Sequence, residues 1–174
     1  MLRWRFLTTR LPLRPREQLG EKMFQGSVVS INIAPAAEGA LAAVEQARAV
    51  PGKGLEGDRY FNQAGTFSKP QPDRELTLIE SEAIEAFNRE LEIEFSAAAA
   101  RRNIVTRGVA LNHLVGREFQ IGEIRVRGLK LCEPCSHLAR LSHEGVLPGL
   151  VHRGGLRAQI LTEGIIRAGD AIFE

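Results

Sequence analysis

The two cysteines of the chain form the motif Cys132-Glu-Pro-Cys135, which is followed closely by His137. Thiol and imidazole groups at this spacing could serve four purposes. A structural zinc site needs four ligands, which Cys132, Cys135, His137 and His152 could supply, although no second Cys-x-x-Cys or His-x-x-x-His motif supports it. A thioredoxin-like redox pair normally lies in a β-α-β unit, which is missing here. The remaining purposes are two unreactive structural cysteines and a reactive or metal-binding thiolate, whose pKa a helix N-terminus or a neighbouring Arg or His would lower.

Basic and glycine-rich segments supply candidate groups for binding an anion. Residues 101–107, Arg-Arg-Asn-Ile-Val-Thr-Arg, place three arginines beside a predicted strand. A guanidinium pairs well with a phosphate or a carboxylate, although a solvated basic face has the same composition. Residues 54–59, Gly-Leu-Glu-Gly-Asp-Arg, and 152–155, His-Arg-Gly-Gly, predict turns that carry charged side chains. The first of these segments lacks the GxxxxGK[ST] pattern of a phosphate-binding loop.

Short strands joined by glycine-rich turns are predicted to position these residues. The β-branched residues Val28, Ile31 and Ile33 indicate a first strand. Residues 124–131 alternate apolar and basic side chains, which predicts a half-buried strand that leads directly into Cys132. Further strands are predicted at 44–50, 76–79, 103–106, 118–121, 156–161 and 168–173. Residues 34–44 are expected to form a loop or hairpin, 51–58 a loop, and 61–74 a mobile surface loop.

One helix is predicted between Ser81, as its N-terminal cap, and Leu91. Ile84, Phe87 and Leu91 recur at helical spacing and form its apolar face. Many short strands, glycine turns and no repeated β-α unit predict a mostly-β protein. We therefore expect a closed or partly closed β-barrel with one or two short helices.

The composition is that of a soluble globular protein of one domain. The chain has 174 residues, of which 44% are apolar and 25% charged. The 23 Lys and Arg exceed the 21 Asp and Glu by only two, so charge alone does not indicate nucleic-acid binding. No apolar run approaches the roughly 20 residues that a membrane-spanning helix needs. Two cysteines cannot form a disulfide framework.

The basic excess lies in residues 1–22, which hold six basic and two acidic side chains. This segment is Arg-rich and has no acidic residue before Glu17, as in a transit peptide. The interpretation that we favour is an extension outside the fold, because a strand-like run follows Met23 immediately. We therefore predict a domain of residues 23–174 whose net charge is mildly negative.

Taken together, the motifs resemble the MOSC domain, a family named after the C-terminal domain of molybdenum cofactor sulfurase. The resemblance covers residues 25–174 and rests on the joint order and spacing of motifs that are individually weak. These motifs are Val28–Ile33, Gly54-Leu-Glu-Gly-Asp-Arg59, Arg102-Asn-Ile-Val-Thr106 with Gly108, Leu111-Asn-His-Leu-Val-Gly116, Phe119-Gln-Ile-Gly122, Pro134-Cys-Ser-His-Leu138, Arg153-Gly-Gly155 and Ile166-Arg-Ala-Gly-Asp-Ala-Ile172.

The resemblance implies a β-barrel of the MOSC or pyruvate-kinase type and a functional cysteine. The family motif places that role, as catalytic residue and molybdenum ligand, on Cys135, with Cys132 secondary. It also implies molybdenum cofactor (molybdopterin), whose phosphate and dithiolene are anionic and suit arginines, backbone N–H groups and a soft thiolate ligand. By motif position, the candidate cofactor-binding residues are Lys53, Asp58, Arg59, Arg102, Asn103, Arg107 and Arg153.

Small stand-alone relatives protect against N-hydroxylated base analogues. The resemblance therefore implies a molybdenum-dependent oxidoreductase that reduces small N-hydroxylated substrates with electrons from a separate donor protein. The alternatives are a persulfide sulfur carrier that handles the cofactor without turnover, and a structural barrel with inert cysteines. Pyridoxal phosphate is not expected, because the chain is too short for the desulfurase domain that uses it. Neither nucleic acid nor a membrane is an expected partner. The expected location is the cytoplasm, or the mitochondrion if residues 1–22 are a transit peptide.

Overall fold

The structure is a computed structural model that describes residues 25–67, 69 and 71–174. The predicted extension, residues 1–22, and Met23 lie outside these described residues. The strands are β1 Gln25–Ile33, β2 Ala42–Val44, β3 Gln46–Val50, β4 Gly54–Leu55, β5 Leu76–Glu80, β6 Ile104–Arg107, β7 Glu118–Ile121, β8 Ile124–Leu131, β9 Leu156–Ile160, β10 Gly164–Arg167 and β11 Ala171–Phe173. The helices are α1 Ser81–Leu91, α2 Ser136–Leu141 and α3 Val146–Gly149, with short 3-10 helices at Pro72–Arg74 and Leu111–Leu114.

Seven strands form a closed ring in the order β11, β7, β8, β9, β5, β6 and β1. The ring closes where β1 pairs with β11, from Gln25 opposite Phe173 to Ser27 opposite Ala171. Its neighbouring strands are antiparallel, except that β5 and β6 are parallel. Strand β2 pairs with β1 beside the ring, and β10, β3 and β4 form a separate three-stranded sheet. The prediction of a mostly-β barrel is therefore confirmed.

Apolar side chains fill the barrel because inward and outward positions alternate along its strands. In β8, Ile124 and Val126 are buried, whereas Arg125 and Arg127 are exposed, as the alternation predicted. A second core lies between the outside of the barrel and the helices. Phe87 of α1 is fully buried there, where its ring meets that of Phe95 edge to face at 5.0 Å. This second core fixes the helices against the barrel.

Helix α1 spans the predicted residues, but the prediction that Ser81 caps it was wrong. Glu80 is the N-cap residue, and Ser81 is the first residue of the helix. The Ser81 hydroxyl donates to the Glu82 carboxylate instead of accepting a backbone N–H. Ile84 and Phe87 are buried as predicted. Leu91 is 40% exposed because it lies at the end of the helix, beyond the packed surface.

Two strand predictions need correction, for reasons of turn geometry. The predicted strand at 168–173 reduces to β11, because Gly169 adopts φ 90 and the Asp170 carboxylate accepts the Arg167 N–H at 2.7 Å. These contacts form a turn that follows strand β10, and the sequence prediction missed this strand. The predicted loop at 51–58 contains β4, which forms a tight hairpin with β3 through Gly52 at φ 76. In the described part of the chain, no helix is long and apolar enough to cross a membrane.

Candidate functional site

A pocket opens where β8 leads into α2. Its wall is completed by the loop that follows β4, by the 3-10 helix before β5 and by the segment before β6. We call it the thiol pocket, because it contains both cysteines. Its cavity volume is about 80 Å³, and its mouth is open to solvent. The described residues that line it are Arg59, Tyr60, Thr66, Phe67, Arg74, Thr77, Arg101, Arg102, Cys132, Cys135, His137, Leu138 and Arg157.

The two cysteines have different environments within this pocket. Both thiols are free, but Cys135 is exposed whereas Cys132 is buried. The Cys132 N–H donates to the Gly155 carbonyl at 2.7 Å, so this residue continues the hydrogen bonding of β8. Cys135 occupies the N-cap position of α2 with an extended backbone. Its carbonyl accepts the Ala139 N–H at 3.0 Å. Cys135 is therefore the thiol that a ligand in the pocket can reach.

Guanidinium groups dominate the polar lining of the thiol pocket. Five of its described lining residues are arginines, and none is Asp or Glu. Two of these arginines have a carboxylate partner nearby: Arg59 Nη1 lies 3.2 Å from Asp58 Oδ2, and Arg157 Nη1 lies 4.0 Å from Asp73 Oδ2. In the part of the chain that the structure describes, no ion pair involves the other three, Arg74, Arg101 and Arg102. The pocket therefore carries a positive charge that suits an anionic ligand.

Arg102 is buried, and its donors all reach backbone carbonyl groups. Nε donates to Gly154 at 2.9 Å, Nη2 to Cys132 at 2.9 Å and Nη1 to Ala100 at 3.2 Å. Without a carboxylate, the carbonyl dipoles only partly compensate the buried charge. Arg102 therefore fixes the Cys-x-x-Cys segment to the turn before β9 and adds positive potential behind the pocket.

Arg101 is the half-buried neighbour of Arg102 and has a strained backbone. Its φ of 55 is unusual for a residue with a side chain. Its Nη1 donates to the Gly39 carbonyl at 3.0 Å. Burial lowers the pKa of the Arg101 guanidinium, and the nearby charge of Arg59 lowers this pKa further. An anion bound between these two arginines would offset their mutual repulsion.

Asp58 and Asn103 lie behind the pocket wall and hold the residues that face it. Asp58 is 2% exposed, and its carboxylate accepts the N–H groups of Ala34 and Tyr60 at 3.2 and 3.1 Å. The Asn103 side-chain amide donates to the same carboxylate at 3.4 Å. Its oxygen accepts the Thr77 hydroxyl at 2.9 Å. This network orients Arg59 and Thr77 toward the pocket, so Asp58 and Asn103 act through their neighbours.

The sequence from Asp58 onward matches a described family. The family model of the MOSC domain matches residues 58–173, which is more than half of the chain. The chain belongs to the MOSC domain family. A comparison with curated proteins finds no match.

Solved structures show the same MOSC fold at low sequence identity. The YuaD protein of Bacillus subtilis superposes with a TM-score of 0.73 and 14% identity, covering 87% of this chain and 97% of that protein. YiiM of Geobacillus stearothermophilus gives a TM-score of 0.67 and 18% identity, covering 86% of this chain and 75% of that one. YiiM of Escherichia coli gives a TM-score of 0.63 and 19% identity, covering 84% and 68%. These similarities establish the fold of this MOSC domain.

Five of the seven predicted cofactor-binding residues do not line the thiol pocket of this MOSC domain, and two of these five, Asp58 and Asn103, lie directly behind its wall. Arg107 is exposed and pairs with Glu85. Arg153 donates to the Gly149 carbonyl at 2.6 Å and pairs with Glu90. Lys53 lines a neighbouring pocket, which is considered below. The structure thus brings Arg59, Arg102 and Cys135 together, with Asp58 and Asn103 directly behind them.

The zinc site considered from the sequence is not assembled. His137 lines the thiol pocket, but His152 has a different partner, because its Nδ1 lies 3.0 Å from the Glu133 carboxylate. Within the described residues, no group of three or more His, Cys, Asp or Glu side chains could hold a metal ion. The CxxC motif also lies at the end of an antiparallel barrel strand, not in a thioredoxin-like unit.

Sequence reasoning missed several residues that line the pocket. Arg101 was noticed only as part of an arginine cluster, and its inward position depends on a backbone conformation that the sequence does not reveal. Arg74 and Arg157 reach the pocket from the 3-10 helix before β5 and from β9, where no motif marked them. Phe67 belongs to residues 61–74, which were predicted only as a mobile surface loop, and Tyr60 immediately precedes that segment.

Proposed function

We propose that this MOSC protein binds molybdenum cofactor in the thiol pocket, with the Cys135 thiolate as a ligand of the metal, and that it reduces N-hydroxylated compounds. The observation that carries the proposal is an exposed, free cysteine in a pocket lined by five arginines and no described carboxylate. A purely structural barrel has no need for such a charge excess around an accessible thiol.

The chemistry of the pocket residues fits an anionic pterin cofactor. Arg59 and Arg101 would hold anionic groups, since guanidinium donors pair with phosphate and sulfur anions. The thiolate of Cys135 is a soft ligand that suits a dithiolene-bound metal. When bound, the cofactor would supply a two-electron reduction of the N-hydroxyl group, in which the oxygen leaves as water, two protons come from solvent and the electrons come from a separate donor protein.

The protein residues around the thiol position and shield this chemistry. Arg102 anchors the Cys132 carbonyl, so the start of the Cys-x-x-Cys segment is held in place. Phe67 lies edge to face with His137 at 5.8 Å between ring centroids. Tyr60 lies beneath the Arg59 guanidinium, 4.9 Å from the ring centroid. These rings would cover one side of a bound ligand, which would strengthen its attraction to the arginine charges.

A persulfide carrier is the second candidate, and the exposure of Cys135 favours it specifically. A persulfide needs one accessible thiol and benefits from the same arginines, because its terminal sulfur is anionic near neutral pH. The two candidates differ in whether metal accompanies the protein.

The test is metal and mass analysis of the protein purified from a host that makes molybdenum cofactor. We expect stoichiometric molybdenum in the wild type, a pterin that is released on denaturation, and loss of both in Cys135→Ala. Cys132→Ala is the matched control, because it removes the buried thiol of the same motif, and it should keep most of the metal. Retention of molybdenum by Cys135→Ala would refute the ligand assignment. Metal-free wild type with an extra sulfur on Cys135 would support the carrier instead.

A further inference from the structure

A second pocket adjoins the thiol pocket. The two pockets share Tyr60 and Arg74 in their walls, so they are neighbouring compartments of one groove. The second pocket is also lined by Lys53, Phe61, Lys69 and Glu75. We call it the lysine pocket. Lys53 was predicted to bind cofactor, but it lies here and not beside the cysteines.

Within the described residues, the ammonium groups of the lysine pocket form no ion pair with a carboxylate. Lys53 and Lys69 are exposed, and neither forms an ion pair within residues 25–67, 69 and 71–174. Lys53 Nζ lies 5.5 Å from the centroid of the Phe61 ring. Arg74 Nη1 donates to the carbonyls of Phe67 and Lys69 at 2.6 and 2.8 Å, which holds its guanidinium between the two compartments. Three cations therefore line this pocket, and none of them forms an ion pair in the part of the chain that the structure describes.

Among the described residues that line this pocket, one carboxylate opposes these charges, but its oxygens are directed to the backbone. Glu75 is 7% exposed, and its Oε2 accepts the Ile160 N–H at 3.0 Å. Its carboxylate also accepts a backbone hydrogen bond from Gly52, and burial raises its pKa. Against this one acid, the three cations leave an excess of positive charge. The rings of Tyr60 and Phe61 supply flat apolar surface beside it.

The Tyr60 ring is held rigidly at the junction of the two pockets. A Cβ atom on Gly65 would lie 2.6 Å from Tyr60 Cε1, so the loop packs against the ring as closely as a glycine allows. The Arg59 guanidinium covers the ring, with Cζ 4.9 Å from its centroid. A molecule that extends from Cys135 into the lysine pocket must therefore pass along Tyr60 and Arg74.

We infer that the lysine pocket binds an anionic group, phosphate or carboxylate, of an aromatic N-hydroxylated substrate whose reacting end reaches the thiol pocket. This inference rests on the proposed function and adds the substrate class: the substrate is an anion and not a neutral ring compound. Lys53 and Lys69 bind the anionic group, Arg74 contacts it from the junction, and the rings of Tyr60 and Phe61 contact the flat part of the substrate.

The direct test is binding of phenyl phosphate and of phenol to the full-length protein, measured by calorimetry. Phenyl phosphate should bind more tightly than phenol. Its affinity should fall about threefold in Lys53→Gln or Lys69→Gln and about tenfold in the double variant, as for partly exposed ion pairs. The matched control is Arg127→Gln, which removes an exposed charge that pairs with Glu118 on β8, and its affinity should equal that of the wild type. Equal binding of phenol and phenyl phosphate, or an unchanged double variant, would overturn the inference.

A second measurement distinguishes the substrate from the phosphate of the cofactor. The Lys53→Gln/Lys69→Gln variant should keep its molybdenum, and its KM for an N-hydroxylated benzamidine that carries a ring carboxylate should rise about tenfold with little change in kcat. The uncharged parent compound should show no change in KM. Loss of molybdenum from this variant would mean that the lysines hold the cofactor, which overturns the substrate assignment. Wild type without molybdenum would refute the proposed function, whereas the phenyl phosphate measurement would still decide whether the pocket binds anions.

Discussion

Replacement of Arg102 by methionine tests whether a buried guanidinium holds the cysteine segment. Methionine keeps similar length and apolar volume but removes donors to the carbonyls of Gly154, Cys132 and Ala100. Each buried acceptor left without a partner costs about 1–3 kcal/mol. Part of this loss is offset, because the variant no longer buries a charge that lacks a carboxylate partner. We therefore expect a loss of about 3 kcal/mol in the free energy of unfolding. For a chain of this size, that corresponds to a fall in Tm of about 6–12 °C.

Urea unfolding and thiol counting are the assays for this variant. Arg101→Met is the matched control, because the adjacent Arg101 donates to a single carbonyl and is half-buried. Its loss should stay near 1 kcal/mol, the usual size of one hydrogen bond. In the native wild type, a thiol reagent should modify Cys135 rapidly and the buried Cys132 slowly. In Arg102→Met, the Cys132 thiol should react faster. A stability loss no greater than that of Arg101→Met, with Cys132 still protected, would refute the structural role assigned to Arg102.

Three further predictions concern the backbone, the network behind the pocket and the response to pH. Gly155→Ala should destabilise the protein by more than about 3 kcal/mol in urea unfolding, because the new Cβ atom would lie 1.9 Å from the Leu78 carbonyl oxygen. The control Gly52→Ala has open space around its Cβ atom and should lose only about 1 kcal/mol. Equal losses in the two variants would contradict the predicted clash. Asp58→Asn should cost about 3 kcal/mol because the carboxylate accepts four donors; a loss below about 1 kcal/mol would show that these bonds are dispensable. Burial raises the pKa of Glu80 above its ordinary 4.5. The free energy of unfolding of the wild type relative to Glu80→Gln should therefore be greatest below pH 4.5 and should fall as the pH rises through the pKa of Glu80 in the folded state. A difference in stability that does not change with pH would contradict the raised pKa.

Local periodicity predicted most of the barrel, because burial in a half-buried strand alternates from one residue to the next. The alternation in β8 is an example, since Ile124 and Val126 are inside and Arg125 is outside. Elements set by turns were harder to predict. Strand β10 was missed because its four residues are separated from β11 only by a turn at Gly169, whose positive φ the sequence pattern does not show. The cap of α1 was misassigned because several residue types can occupy an N-cap position.

The candidate site could be predicted only where its residues lie in short motifs. Cys135 and Arg59 were found in this way. Arg74 and Arg157 could not be found, because they meet the thiol pocket only after β5 and β9 pair, and an isolated arginine carries no spacing signal. Arg107 and Arg102 illustrate the opposite problem: both belong to the same basic motif, but one is exposed and the other buried. The side of the chain that each faces depends on the packing of β6 and on contacts far away in the sequence.

The pairing of β1 with β11 has a consequence for the order of folding. These strands lie near opposite ends of the described chain, and no other strand pair in the ring is separated by so many residues. Their contact requires closure of the longest loop, so it should form after the local hairpins. During synthesis, the cysteine segment leaves the ribosome before Ala171–Phe173 can close the seam. The nascent barrel therefore presents its thiols and an open strand edge at the same time, until β11 pairs with β1.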